Sequence, residues 1–103
     1  MARNKYNAKK TTINGITFHS KKEAERYLVL MSMEQAGEIT ELELQPRWPL
    51  VVNGVKIGRY TADFQYRQGG RLVVEDVKGV RTRDYVLRKK LMRACYGIEI
   101  KET

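Results

Sequence analysis

Asp63, within Tyr60-Thr61-Ala62-Asp63-Phe64, and the triplet Asp76-Val77-Lys78, within Val73-Val74-Glu75-Asp76-Val77-Lys78-Gly79, place charge inside two segments that otherwise pattern as apolar β-strands. A carboxylate taken out of water costs free energy unless it is paired or binds a metal. The Gln68-Gly69-Gly70 turn between the segments would fold one strand back on the other and bring Asp63, Asp76 and Lys78 together. Side chains alternate across a strand, so Leu72, Val74, Asp76 and Lys78 are expected on one face and Val73, Glu75 and Val77 on the other. Asp76, not Glu75, is then the partner of Asp63 and Lys78. By the same rule Asp63 should share a face with Thr61 and Gln65, opposite Ala62, Phe64 and Tyr66. Two carboxylates and a main-chain carbonyl, such as that of Val77, form an oxygen-donor set suited to Mg²⁺, with Mn²⁺ as a substitute. Such an ion activates a bound water and neutralises phosphate charge. Lys78 could orient the water, stabilise a pentavalent transition state or carry a proton. The plainer alternative makes both aspartates solvent-facing, with Lys78 in a surface salt bridge worth little. A D-x-K triplet is common by itself; the acidic strand before it and the basic helix after it favour the chemical reading.

The elements that must position these groups can be read along the chain. Residues 1–12 are polar and basic and read as a flexible arm carrying Arg3, Lys5, Lys9 and Lys10. Residues 13–103 read as a single domain, the size that builds one modest core. Asn14-Gly15 turns a small hairpin between Ile13 and Phe18. Ser20-Lys21-Lys22-Glu23 matches a capping box, and Ala24, Tyr27, Leu28 and Met31 follow at helical spacing up to a stop at Gly37. Ile39 to Leu44 alternates as a strand, and Gln45 to Pro49, holding both prolines, is expected to interrupt regular structure. Asn53-Gly54 signals a two-residue hairpin, after which one strand is expected from Arg59 to Tyr66 and its return from Arg71 to Val77. A second helix is expected from Thr82 to Tyr96, with Leu87, Leu91, Ala94 and Cys95 inward and Tyr85 and Met92 beside them. Ile98 to Lys101 reads as a last strand. The fold class is α+β, a mixed central sheet flanked by helices.

The net charge is +8, which points toward polyanions such as nucleic acid. Arg81, Arg83, Arg88, Lys89, Lys90 and Arg93 crowd the second helix and are the candidate DNA contacts, able to neutralise phosphates. A solvated charged face is the bland reading of the same helix. Acidic residues gather elsewhere, at Glu34, Glu38, Glu41 and Glu43. One cysteine, Cys95, and one histidine, His19, do not make a zinc site. The lone cysteine suits a reducing cytoplasm, and no apolar run reaches the length of a membrane span. Trp48 and the tyrosines can stack on bases or pack in the core.

Ser20-Lys21-Lys22-Glu23-Ala24-Glu25, Gln45-Pro46, Tyr60-Thr61-Ala62-Asp63-Phe64 and Glu75-Asp76-Val77-Lys78-Gly79 together resemble the PD-(D/E)XK nuclease superfamily. Within it, the pattern is similar to a small phage and prophage endonuclease-like family over roughly residues 13–101, with alanine in place of the proline that often precedes the first aspartate. The resemblance implies an α-β-β-β-α-β core like that of restriction endonucleases and metal-dependent cleavage of DNA phosphodiester bonds. It also implies that Glu23 joins Asp63 and Asp76 at the metal, although a capping box alone would explain a glutamate there. Glu25, on a different helical face, is an alternative, and Gln45 is a candidate neighbour of the site. Holliday-junction resolvases of the same superfamily suggest branched or recombination DNA, and a phage-encoded enzyme would act in the bacterial host cytoplasm. Cutting both strands would suit a homodimer. The competing readings are a noncatalytic nucleic-acid-binding module on the same fold and a structural protein of a phage assembly.

Overall fold

The computed structural model describes residues 10–78 and 81–103. The basic residues Arg3, Lys5 and Lys9 and the motif residue Gly79 lie outside the described residues. A first hairpin pairs β1 (Thr11–Ile13) with β2 (Ile16–Phe18), so strand structure begins two residues inside the segment read as an arm. Helix α1 (Lys21–Gln35) follows, capped by the Ser20 hydroxyl, which accepts from the Glu23 N–H at 3.1 Å. Gly37, at φ +77°, ends it in the left-handed conformation that glycine adopts without a Cβ clash. The remaining elements are β3 (Thr40–Leu44), β4 (Arg47–Val52), β5 (Val55–Thr61), β6 (Phe64–Gln68), β7 (Arg71–Asp76), α2 (Arg83–Tyr96) and β8 (Lys101–Glu102).

Four strands form the central sheet in the order β3-β6-β7-β8. β3, β6 and β7 are antiparallel neighbours, and β8 returns through α2 to lie parallel to β7, making the sheet mixed. β4 and β5 form a separate two-stranded ribbon turned by Asn53-Gly54, both at positive φ, as a tight hairpin requires. The protein is therefore α+β, with apolar packing on both faces of the sheet. On one face, Ala24, Tyr27 and Leu30 of α1 pack with Phe18, Ile39, Phe64 and Tyr66. On the other, Leu50 and Tyr60 of the ribbon and Tyr85 and Met92 of α2 pack with Ala62, Val74 and Ile100. Burying a side chain such as Leu30 or Phe64 contributes roughly 1.5–3 kcal/mol.

Several expectations are corrected. Arg47, Trp48 and Pro49 are strand, not a break, because Pro49 lies in a two-stranded ribbon where its missing N–H breaks no sheet interior. The expected strand from Arg59 to Tyr66 is two strands, interrupted at Ala62-Asp63. The interruption changes sides: Ala62 packs with Tyr60 in the second cluster, whereas Phe64 and Tyr66 enter the first. Asp63 thus sits at a junction between strands rather than within one. In β3, Glu41 takes a positive φ and the pairing register shifts, so strict alternation fails there. On α2, Leu87 and Ala94 are exposed, and Tyr85 and Met92 form the buried face. The last strand is Lys101–Glu102, later than expected, because Gly97 ends α2 and an extended segment through buried Ile100 precedes pairing.

Candidate active site

Asp63 is held by its own backbone and by its neighbours. Its N–H donates to the Glu75 carbonyl at 3.2 Å, and its carbonyl accepts from the Gln45 N–H at 3.0 Å. Its carboxylate Oδ2 accepts from the Val77 N–H at 2.7 Å. The carboxylate therefore substitutes for a strand partner just where β7 ends. Gln45 contributes through its main chain, at φ +50°, while its side chain is exposed.

Asp76 is the last residue of β7 and is buried. The pairing of β8 beside it fixes the backbone: Thr103 N–H donates to the Asp76 carbonyl at 3.0 Å, and Lys78 N–H donates to the Thr103 carbonyl at 3.1 Å. The Tyr60 hydroxyl donates to Asp76 Oδ2, and Lys78 Nζ stands 3.6 Å from the same oxygen. The Lys78 ammonium also lies 3.9 Å from the centre of the Tyr85 ring, a cation–π contact that holds it over the cleft. Lys22 Nζ donates to the Lys78 carbonyl at 2.9 Å, tying α1 to this loop.

Glu23, at the start of α1, is buried. Its N–H completes the Ser20 cap, but among the described residues no return bond from Ser20 N–H to the Glu23 carboxylate is formed. Burial pushes the Glu23 carboxyl up to about 7, and the nearby charges of Asp63 and Asp76 push the same way, with Lys78 opposing. Burial likewise raises Asp76 to about 6 against the pull of Lys78. Asp63 is raised by burial, against its bond from Val77 and the charges of Lys78 and His19. The fold thus brings Glu23, Asp63, Asp76 and Lys78 within electrostatic reach of one another. Glu25 points elsewhere, exposed and 4.0 Å from Lys21.

Adjacent Glu75 behaves in the opposite way. It is fully buried on the α1 side of the sheet, and Arg26 grips it with Nε at 2.6 Å and Nη2 at 2.9 Å. Tyr66 hydroxyl donates at 2.6 Å and Thr103 hydroxyl at 3.1 Å. Burial alone would raise Glu75, but these donors hold it below its ordinary value.

A cleft of about 510 Å³ opens over the site between β5 and the start of α2, lined by Arg59, Tyr60, Asp76, Lys78, Tyr85 and Arg88 among others. Glu23 and Asp63 are not among its lining residues. The candidate DNA contacts do not form one face. Arg88 borders this cleft and pairs with Asp84 at 2.8 Å. Arg81, Lys89, Lys90 and Arg93 border a second groove of about 230 Å³. There Arg81 and Lys89 pair with Glu102, and Arg93 with Glu99. Among the described residues Arg83 and Lys90 have no carboxylate partner, and Arg83 is fully on the exposed side of α2.

The family described as "Protein of unknown function (DUF1064)" matches residues 3–103. The chain belongs to that family. No curated protein matches it. Sequence reading of this DUF1064 chain missed Tyr60, Tyr85, Arg26, Thr103 and Lys22, which hold or neutralise the charged groups. Arg26 carried a usable signal: it lies four residues before Leu30 and three after Glu23, on the stripe of α1 that faces the sheet, where a cation needs an acidic partner. Tyr60 and Thr103 carried none, since their roles arise from elements distant in the chain.

The donor set offers oxygen only, which suits a hard divalent cation. Asp63 and Asp76 each have one carboxylate oxygen not engaged in the bonds above, and the Val77 carbonyl accepts no hydrogen bond among the described residues. Among the described residues no group of three or more His, Cys, Asp or Glu side chains stands at metal-holding geometry. Mg²⁺ does not require one, because it commonly takes one or two carboxylates and keeps several waters.

Proposed function

We propose that this protein is a Mg²⁺-dependent DNA endonuclease that hydrolyses phosphodiester bonds. One observation carries the reading: Glu23, Asp63 and Asp76 are buried or half-buried acids, raised by burial and gathered around Lys78 beside an open cleft. Perturbed acids of this kind concentrate where a protein holds a cation or moves a proton. The chain order α1, β3, β6, β7, α2, β8 supports the resemblance to the PD-(D/E)XK core, with the β4–β5 ribbon as an insertion. Asp63, Asp76 and the Val77 carbonyl would hold Mg²⁺ or Mn²⁺, with Glu23 as a base for the water. Bound there, the ion would supply an activated water and offset charge on the phosphate.

The chain's own groups do the rest. Tyr60 holds Asp76 in one rotamer, and the Val77 N–H does the same for Asp63. Tyr85 supports the Lys78 ammonium, which would stabilise the extra negative charge of the pentavalent phosphorus. The water oxygen would bond to phosphorus as Glu23 takes one of its protons, the phosphorus–oxygen ester bond would break, and the departing alkoxide would take a proton from a neighbouring water. The resemblance extends the proposal to branched or recombination DNA and to the cytoplasm of a bacterial host. Among the described residues no helix is long and apolar enough to cross a membrane.

The test is incubation with supercoiled, linear and four-way-junction DNA in Mg²⁺ or Mn²⁺, against EDTA. Cleavage should require the metal, and Asp76→Ala should lower it by about 10²–10³-fold with DNA binding retained. Binding without metal-dependent cleavage of any substrate would favour a noncatalytic nucleic-acid-binding module.

A further inference from the structure

The β4–β5 ribbon forms one wall of the cleft over Asp76 and Lys78 through Gly58, Arg59, Tyr60 and Thr61. Its composition is one-sided. From Arg47 to Thr61 it holds Arg47, Lys56 and Arg59 and no acidic residue. All three cations are exposed, and among the described residues none has a carboxylate partner. On α2, by contrast, Arg88, Lys89 and Arg93 are engaged with acids, as is Arg81 just before the helix, and Arg83 and Lys90 are the α2 cations without a carboxylate partner among the described residues.

Pairing register shows where these groups point. Trp48 pairs with Tyr60 and Leu50 with Gly58, and Trp48, Leu50 and Tyr60 turn toward the core. Arg47 pairs with Thr61 and Pro49 with Arg59, so both arginines lie on the opposite, outer face. The register shifts between Leu50 and Val51, a bulge that twists the ribbon before its tip. Beyond it every residue from Val51 to Ile57 is exposed, including Val52, Val55 and Ile57. A shaft bearing Arg47 and Arg59, and a tip bearing Lys56 among exposed valines, offer two contacts at once: phosphates to the cations, and sugars and base edges to the apolar tip. The major groove of a duplex admits a two-stranded β-ribbon.

We propose that the β4–β5 ribbon is a DNA-binding arm, with Arg47, Lys56 and Arg59 on backbone phosphates and Val52 and Val55 seated in the groove. The inference rests on the endonuclease reading and assigns that site its second substrate wall. A second copy of the chain is the weaker occupant for this face. A two-fold contact would set ribbon against ribbon, with like charges opposed and no acid on either to relieve them.

The experiment measures duplex DNA binding by fluorescence anisotropy in EDTA, over a salt series, for the wild type and for Arg47→Gln/Lys56→Gln/Arg59→Gln. The triple variant should bind at least about 10-fold more weakly at low salt, and its slope of log affinity against log salt should be shallower by about 2–3. Its thermal midpoint should be unchanged, because all three side chains are exposed. Val55→Asn should weaken binding and leave the salt slope unaltered. If the wild type binds DNA and the triple variant matches it in affinity and slope, the arm is wrong while the endonuclease reading stands. If the wild type neither binds nor cleaves DNA, both fall. A wild-type dimer in sedimentation that Val55→Asn dissociates, with DNA binding unchanged, would assign the face to a second copy and overturn the proposal.

Discussion

Glu75 and Asp76 are neighbours on one strand, yet they live in opposite environments. Glu75 faces α1 and receives hydrogen bonds from Arg26, Tyr66 and Thr103, which hold it ionised. Asp76 faces the ribbon and α2, where Tyr60 and Lys78 only partly offset the cost of burial, and it is raised to about 6. Both are buried, so burial is not what separates them. The difference lies in the number and charge of donors that reach each carboxylate. A fully satisfied acid holds α1, β6 and the end of β8 together. An under-satisfied one, beside a cleft and two more raised acids, keeps capacity for a ligand.

The largest effect expected from breaking this contrast is on the satisfied side. Glu75→Ala leaves the Arg26 guanidinium facing the sheet without its partner and should lower stability by about 3–5 kcal/mol in denaturant titration. A loss under 1 kcal/mol would mean that the pair is not what joins α1 to the sheet.

Removing charge at the neighbouring position should have the opposite sign. A carboxylate whose folded pKa is raised binds protons in the native state at a pH where the unfolded chain has released them. Its ionised form therefore weakens the fold above the folded pKa, and the penalty fades as pH falls. Asp76→Asn should stabilise the metal-free protein at pH 8 by an amount on the order of 1–3 kcal/mol. With Asp76 raised to about 6 and Glu23 to about 7, wild-type stability in EDTA should rise as pH falls from 8 to about 5. Glu75 has the reverse sign: its contribution is present above its ordinary value and is lost as pH falls below it. Thermal midpoints followed from pH 3 to pH 9 should therefore peak near pH 5. A steady rise up to pH 8 would remove the contrast between the two acids.

The smallest effect is expected from one donor on the satisfied side. Tyr66→Phe removes a hydrogen bond to Glu75 but leaves Arg26 and Thr103 in place, and should cost about 1 kcal/mol. A cost matching that of Glu75→Ala would show that the tyrosine, and not the arginine, carries the network.

Local pattern was enough for much of this molecule. The Ser20 cap, the Gly37 stop, the Asn14-Gly15 and Asn53-Gly54 turns and the span of α2 all depend on interactions within a few residues, and all are found as expected. Strand alternation also separated Asp76 from Glu75, because the two-residue period is a property of the backbone. It failed at Ala62-Asp63, where the chain leaves one sheet for another and the period restarts. Helical spacing failed on α2, where Leu87 looks like a core residue in sequence but is exposed. Which charges would be satisfied was decided only by tertiary structure. Arg26 reaches Glu75 from 49 positions away, Thr103 from 28, and Tyr60 reaches Asp76 from 16. Composition supplied the excess of positive charge, and the fold then matched most of the α2 cations with acids and left those of the ribbon exposed. The sequence by itself determined which residues could bear charge inside the sheet. Their pairing depends on distances between elements remote in the chain, and those distances exist only once the sheet, the two helices and the ribbon have packed.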